Sequence, residues 1–396
     1  MITDTNPSRA SRLAFALLIL GTTLGIAGID LVLPAVPELP EILNGTQAMA
    51  QLVLASYVGG TCLGLILFGE LGARIDQRKL LIASLLIYAA VSVACALAPN
   101  LPALVALRFV QGLSGAAAAV FAPGIIRVMF SAHGAVRALG LMGSVESLVP
   151  ALAPIFGLWL LLAFGWQSSF YLIGILSILV AGLIARQQHR IPLPPSTRGE
   201  GNYLHHLRNP VYLRYALSQA FTLGGLLIFV FGAPAMITKG LGGELGDFIV
   251  MQVTGIVLFI AASNAAGHLV KRFGAETMIL AGSVISAGGV TGILVYGLTG
   301  GTHPLVLAAL FIPVNLGLGL RGPPGFYRAI LAAQGDDARA AALLLVAMLL
   351  TTAVGTAVAA PFVTLGIAPL AGVAAMISCA SVACLLALPK LQEPTP

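Results

Sequence analysis

The polarity of the chain follows one rhythm: apolar stretches of twenty residues or more, separated by short clusters of Gly, Pro and charge. Twelve stretches stand out, at about 13–36, 48–69, 79–98, 102–126, 137–163, 167–187, 211–237, 246–268, 276–298, 304–326, 338–362 and 367–389. A helix rises about 1.5 Å per residue, so about 20 apolar residues cross a bilayer. Strands of a membrane barrel are about 10 residues long and alternate in polarity, which these runs do not. Lipid offers backbone amides no partner, so each segment must pair its own, as a helix does. The pattern predicts an all-α integral membrane protein with twelve transmembrane helices.

Composition agrees. Hydrophobic residues make up 58% and charged residues 9% of the 396 positions. Mean hydropathy is +1.00. Soluble domains carry about 25% charge, so a soluble enzyme, a disordered chain and a nucleic-acid binder are excluded. The net charge of +6 is explained by position. Seventeen of the 20 Lys and Arg fall at the N-terminus, the C-terminus or in the loops after helices 2, 4, 6, 8 and 10. The opposite loops hold Lys239 with Glu38, Glu41, Glu244 and Asp247. Basic loops face the cytoplasm, which predicts cytoplasmic termini and an even helix count. No cleavable signal is read before the first helix. The four cysteines show no metal-ligand spacing and the six histidines lie in loops or at helix ends. No metal or cofactor is therefore expected.

The longest polar connection, 188–210, lies at the middle of the chain and is rich in Pro, Arg and His. It reads as a cytoplasmic linker between two pseudo-symmetric bundles, 1–187 and 211–396. GELGARIDQRK (69–79) and GHLVKRFGAE (267–276) echo each other after helices 2 and 8. Such internal repeats point to a secondary transporter with its site between the halves.

Charges inside spanning helices are costly and usually functional. Four stand out away from the span ends: Asp30, Arg108, Glu146 and Arg321. Asp30 and Arg108 each lie roughly 10 Å below the same surface, so they can meet if helices 1 and 4 are neighbours. A carboxylate poised between burial and a guanidinium can load and release a proton; the plainer reading is a static ion pair. Glu146 lies about 14 Å deep and either titrates, binds a cationic group or faces a polar neighbour. Arg321 is nearer its helix end, where it can snorkel or bind an anion. Gly322, Pro323 and Pro324 beside it should distort the helix.

These residues sit in strings that resemble the major facilitator superfamily over essentially the whole chain. LRFVQGLSGAA (107–117) looks like the family's helix-4 motif, matched by Arg108, Gln111 and Gly112. VPALAPIFG (149–157) resembles the drug–proton antiporter motif of helix 5 through Pro150, Pro154 and Gly157. IDLVLPAVPELP (29–40), GWQSSF (165–170) and RNPVYLRYALSQAF (208–221) resemble the Bcr/CflA-type drug exporters. The resemblance implies a two-bundle fold and export driven by inward proton flow, with Asp30 as proton site and Arg108 as its partner. The loop after helix 2 keeps the family's Gly69, Leu71 and Arg74. Ala73 replaces its Asp, a residue that helps latch the outward-facing state, and Glu70 or Asp76 is left as the substitute. Thr22 stands where some multidrug members carry a second acid, which Glu146 would supply from another helix.

By resemblance, a cavity between the halves would draw on Tyr57, Gln111, Gln219, Phe229, Phe231, Gln252, Asn264 and Asn315, with Glu146 and Arg321. As a set they suit amphipathic cargo. The leading expectation is a proton-coupled exporter in the bacterial inner membrane, acting as a monomer on small molecules and protons in contact with lipid. A metabolite exporter or proton-coupled uptake symporter of the same fold is the alternative. A membrane enzyme would need a nucleophile and base together at depth. No Gly-x-Ser-x-Gly or His-Glu-x-x-His occurs.

Overall fold

The protein is represented by a computed structural model that describes residues 9–194 and 201–392. The middle of the expected linker, 195–200 with Arg198, lies outside the described residues, as do both extreme termini. Among the described residues there is no strand. Twelve helices among these residues are long and apolar enough to cross a membrane. In chain order these are α1 (Arg12–Ala35), α2 (Gln47–Gly72), α3 (Gln77–Ala96), α4 (Leu101–Met129), α5 (Ala132–Phe164) and α6 (Gln167–Arg190). They continue as α7 (Pro210–Gly240), α8 (Leu245–Phe273), α9 (Ala275–Leu298), α10 (Pro304–Leu331), α11 (Asp337–Leu365) and α12 (Ile367–Ala387).

Helix starts are set by local chemistry. Side chains of Thr46, Asp76, Asn100 and Asn209 accept hydrogen bonds from the first backbone amides of α2, α3, α4 and α7. These amides have no intrahelical acceptor, so a capping oxygen replaces water. Glu244 and Asp247 form a reciprocal capping box at α8. Between α8 and α9 the chain turns through Gly274 at φ +84°, a conformation only glycine adopts without strain.

Interruptions also have local causes. Regular α1 ends at Asp30, and a short 3₁₀ turn, Leu33–Ala35, follows. The spanning run of α4 is divided at Ala116 into Leu101–Gly115 and Ala117–Met129, where the sequence predicts one helix. There Gly115 backs onto Gly25 of α1, so close that a side chain on Gly25 would press on the Gly115 carbonyl. α7 finishes in a π-helical turn, Met236–Gly240, just after Pro234; a proline lacks the amide that would continue the ladder. α10 runs helical through Gly322, Pro323 and Pro324.

The helices form two compact units. The first takes in the described residues of Met1–Ser131, Val145–Gly201 and Gly335–Leu343; the second those of Ala132–Ser144, Asn202–Gln334 and Leu344–Pro396. The opening of α5 thus groups with the second unit and the opening of α11 with the first. In the first unit, Val53, Leu101, Leu104, Trp166 and Phe170 are core residues around the end of α1. In the second, Phe229, Ile293, Phe311, Val314 and Leu370 fill the core.

Without water to drive apolar burial, membrane helices associate by close backbone approach at small residues. In the first unit Gly60 and Gly64 of α2 lie against backbone of Phe109 and Leu113, and Gly112 of α4 lies against the backbone of Tyr57. In the second, Gly282 of α9 and Gly317 of α10 each face the other's carbonyl. Gly182 has nothing within 4 Å of where a Cβ would sit. Gly112→Val should therefore lower stability by about 1–3 kcal/mol through overpacking, while Gly182→Val should change it by no more than about 0.5 kcal/mol. Thermal unfolding of both purified variants measures the difference, and equal melting temperatures would contradict this packing.

Candidate functional site

The site is built where regular α1 stops. Three α1 carbonyls near that point accept bonds from side chains of three other helices. Tyr88 (α3) donates to Leu24 at 3.1 Å, Tyr57 (α2) to Gly25 at 2.6 Å, and Arg108 (α4) to Gly28 at 2.9 Å. The amide of Val32 bonds Ile29 instead (3.3 Å), which frees the Gly28 carbonyl for the guanidinium. A cation at the negative end of a helix is favourable, and burial strengthens the effect. Gly28 has no side chain, and a Cβ there would collide with both tyrosine hydroxyls. The hydroxyls lie 3.0 Å apart.

Arg108 is fully buried. Besides Gly28 it donates to the Val53 carbonyl of α2 at 3.2 Å and to Gln111 Oε1 at 2.6 Å. Its guanidinium carbon lies 4.2 Å from the centre of the Tyr57 ring and 5.8 Å from that of Phe170, within cation–π range. Gln111 donates onward to Ser92 at 2.7 Å, and Ser92 to the Tyr88 carbonyl at 2.6 Å. Arg108 Nη2 alone has no hydrogen-bond partner among the described residues.

The expected Asp30–Arg108 ion pair is not formed. Among the described residues no cation lies within ion-pair distance of Asp30, and Arg108 commits its donors to carbonyls and an amide. The reason is that orphan backbone groups at a buried helix end are themselves strong acceptors. Asp30 sits half-buried on the last residue of the regular helix. Beside it, the Leu31 carbonyl accepts from Ser169 of α6 at 3.1 Å. Gly157 of α5 packs against that same carbonyl, where any Cβ would clash. The helix-5 motif thus lies on the turn that carries Asp30. Pro150 is exposed and Pro154 half-buried on that helix. Farther along α5, Glu146 is half-buried and hydrogen-bonds with Thr22 of α1. Thr22 also donates to the Ile19 carbonyl at 2.9 Å.

The loop after α2 corrects another expectation. Arg74 is exposed and pairs with Glu70, one turn back. Asp76 caps α3 and binds Arg78, whose guanidinium lies 2.7 Å away; that hydrogen-bonded pair holds the Asp76 carboxyl below the usual carboxylate range. Asp76 is therefore a loop brace, and Glu70 is the acid that reaches α11. Glu70 accepts from Arg339 at 2.7 and 3.1 Å, and Arg339 also binds Asp336 at 3.1 Å. Arg127 at the end of α4 binds Asp337 at 2.7 Å. Gly69 is buried and Leu71 half-buried beside this cluster. Arg127 and Arg339, read from the sequence as topology markers, are thus also structural: Arg339 is fully buried and its charge is balanced by two acids.

In the second unit the expected cavity residues divide. Phe229 is fully buried and packs on Phe311 with ring centres 5.6 Å apart, so it is core. Phe231 is exposed. Asn315 is buried, donates to the Phe311 carbonyl at 3.1 Å and packs on Gly255. Asn264 bonds Ser144 at 2.8 Å, and Gln252 is half-buried. Arg321 does not snorkel: it is fully buried and donates to Ser218 at 3.1 Å and Thr222 at 3.5 Å. In the first unit Tyr57 and Gln111 are likewise buried, as members of the Arg108 network. Sequence reasoning missed Tyr88, Ser92, Asp336 and Asp337. A tyrosine in mid-span and an acid pair opening α11 beside a basic residue were the available signals.

The family model described as the Major Facilitator Superfamily matches residues 18–360. The chain belongs to the Major Facilitator Superfamily. As members of this family are transporters, it is a multi-pass inner-membrane transporter and not an enzyme. It is 28% identical over 355 residues to the "Uncharacterized MFS-type transporter YdgK" of Bacillus subtilis, covering 86% of each chain. It is 28% identical over 263 residues to the "Bicyclomycin resistance protein homolog" of Haemophilus influenzae, covering 64% of this chain and 65% of that one. The "Multidrug resistance protein MdtL" of Escherichia coli O157:H7 is 24% identical over 268 residues, 67% of this chain and 68% of its own. Solved structures share the fold. The proton:xylose symporter XylE superposes with a TM-score of 0.73 at 14% identity, over 96% of this chain and 95% of its own. FucP in the outward conformation gives 0.71 at 16%, over 96% and 99%.

Two experiments test the transporter's buried networks. Lysine offers a point charge in place of a planar fork. It cannot serve Gly28, Val53 and Gln111 together, so Arg108→Lys should lower stability by about 2–4 kcal/mol. Glu70→Gln and Arg339→Gln, singly and combined, should give a coupling energy of about 1–3 kcal/mol in a double-mutant cycle read by thermal unfolding. Additive effects would contradict the pairing.

Proposed function

We infer that this transporter exports small amphipathic compounds in exchange for protons. The observation that carries the reading is the Asp30 carboxyl: half-buried at the end of regular α1 and, among the described residues, free of a cation, while Arg108 serves the backbone beside it. An ionisable group at this depth is expensive unless it has a task. An acid without a fixed counter-ion is free to take a proton from one side and give it to the other as access alternates. The relatives named for bicyclomycin and multidrug resistance support an exported, drug-like cargo.

In this reading Asp30 is the proton site and Arg108 is a positioning residue that fixes the turn holding it. Glu146 supplies a second acid at the level of Thr22, for a cationic group of the cargo or a further proton. Gly157 against Leu31 ties movement of α5 to the Asp30 turn. The ion pairs Glu70–Arg339–Asp336 and Arg127–Asp337 hold the opening of α11 to the ends of α2 and α4, and must part in each cycle. Two six-helix halves joined through 188–210, with cytoplasmic termini and monomeric action, complete the proposal.

Asp30→Asn should abolish uphill transport while leaving passive cargo exchange intact. For one proton per cargo, wild type sustains about a tenfold cargo gradient per pH unit, and the variant none. Proteoliposomes with an imposed pH gradient measure this. An undiminished gradient would reject Asp30 as the coupling site, and accumulation of cargo on the side to which protons flow would turn the reading into symport. Glu146→Gln should change the cargo range or the pH profile; an identical profile for neutral and cationic cargo would return Glu146 to a structural role.

A further inference from the structure

We propose that a cleft at one end of the first unit holds a single glycerophospholipid, one acyl chain along its walls and its ester carbonyls on Gln167 and Tyr171. The cleft is a cavity of about 530 Å³, at the ends of α3, α5 and α6 that lie opposite the basic loops. That volume is in the range of small-molecule sites. Ala96 and Leu97 line it from the end of α3 and Phe164 from the end of α5. Gln167, Tyr171 and Ile175 of α6 follow at four-residue intervals, with Ser168 and Leu172 beside them, a spacing that puts them on one face. Gln167 opens the span, and Ile175 lies about 12 Å deeper. Half of the hydrocarbon core is about 15 Å, so the cleft runs most of the depth of one leaflet.

Polarity falls along the cleft. Leu97, Phe164, Leu172 and Ile175 form apolar walls, while Gln167, Ser168 and Tyr171 gather at the interfacial end. Ser168 gives its proton to the Leu160 and Gly165 carbonyls, at 3.2 and 2.6 Å. The Gln167 carboxamide and the Tyr171 hydroxyl have no hydrogen-bond partner among the described residues. Donors at the edge of hydrocarbon need acceptors that lipid tails do not offer. The ester carbonyls of a glycerolipid lie at that level and can only accept. Charge takes no part. Along α3, α5 and α6 the charged residues nearest the lining are Lys79, Glu146 and Arg186, eleven or more residues away, or at least about 16 Å. The cleft therefore reads the ester region and is blind to the charge of the head group.

The occupant is lipid because the cleft opens onto the surface that spanning helices show to the bilayer. Leu97, Phe164 and Ile175 are each more than half exposed, and exposed Ile178 and Leu179 continue the Ile175 face. Both tryptophans of the chain lie at this corner, as aromatic residues of an interfacial belt do. Trp159 meets Phe164 edge-on with ring centres 5.6 Å apart, and Trp166 precedes Gln167.

These tryptophans supply the test: quenching of their fluorescence by phospholipid brominated at mid-chain, titrated into the full-length purified chain in detergent. Quenching should saturate at one lipid per chain, with affinities for phosphocholine and phosphoglycerol heads equal within about twofold. The dialkyl ether analogue, which lacks the carbonyls, should bind about tenfold more weakly. Gln167→Leu combined with Tyr171→Phe should bind ester and ether alike, at the weaker level. Neither side chain is hydrogen-bonded within the chain, so this variant should melt within about 2 °C of wild type in detergent alone. If it does not fold, Tyr171→Phe decides: it should lose about fivefold for the ester and nothing for the ether. Quenching that rises without saturation, a preference of about tenfold for the anionic head, or an ester preference that survives the substitutions would overturn the proposal. Release of the bound lipid by rhodamine 6G, one for one, would overturn it too and give the cleft to cargo.

Discussion

The hydrogen bond from Arg108 to the Gly28 carbonyl is the contact around which the first unit is arranged. Inside a membrane a helix that stops short of the interface exposes carbonyls with no water to satisfy them. Arg108 meets that need with a charge, and three helices then lock to one turn: α4 carries the arginine, α2 places the Tyr57 ring under it, and α3 adds Tyr88. The same arrangement leaves Asp30 without a counter-ion among the described residues. A direct pair would have tied the acid down; in the proposed function, a cation held on the backbone fixes the position of the acid and leaves its proton exchangeable.

Arginine at a helix end recurs in the second unit. Arg214 of α7 donates to the Leu385 carbonyl and, at 2.7 Å, to the Leu388 carbonyl at the close of α12, and binds Glu276 at the start of α9. Arg127 and Arg339 do related work at the opening of α11, where the acids belong to that helix and to α2. In each case the charge is balanced by an acid or a helix dipole. Arg321 differs: among the described residues its guanidinium meets the hydroxyls of Ser218 and Thr222 and no acid.

Much of this was legible in sequence. Twelve spans follow from the length of apolar runs, because lipid permits little else. Asp30, Arg108 and Glu146 stood out because charge is scarce at depth. What could not be read was pairing. Depth placed Asp30 and Arg108 level with each other, but nothing in the linear pattern says that a carbonyl two residues earlier would win the guanidinium. Phe229 and Phe231 look alike in the string, and a difference of two positions on a helix sends one into the core and the other to the surface. Basic residues near loops fix topology statistically, so the burial of Arg339 was hidden until Glu70 and Asp336 were seen around it.

The proposed function rests on the Asp30 carboxyl exchanging its proton for cargo. Proton release on adding cargo to the detergent-purified protein in weakly buffered solution tests it most directly. Wild type should release about one proton per cargo bound, fading at acid and alkaline extremes where the site is always filled or always empty, and Asp30→Asn should release none. Equal release from both proteins would contradict proton exchange at Asp30.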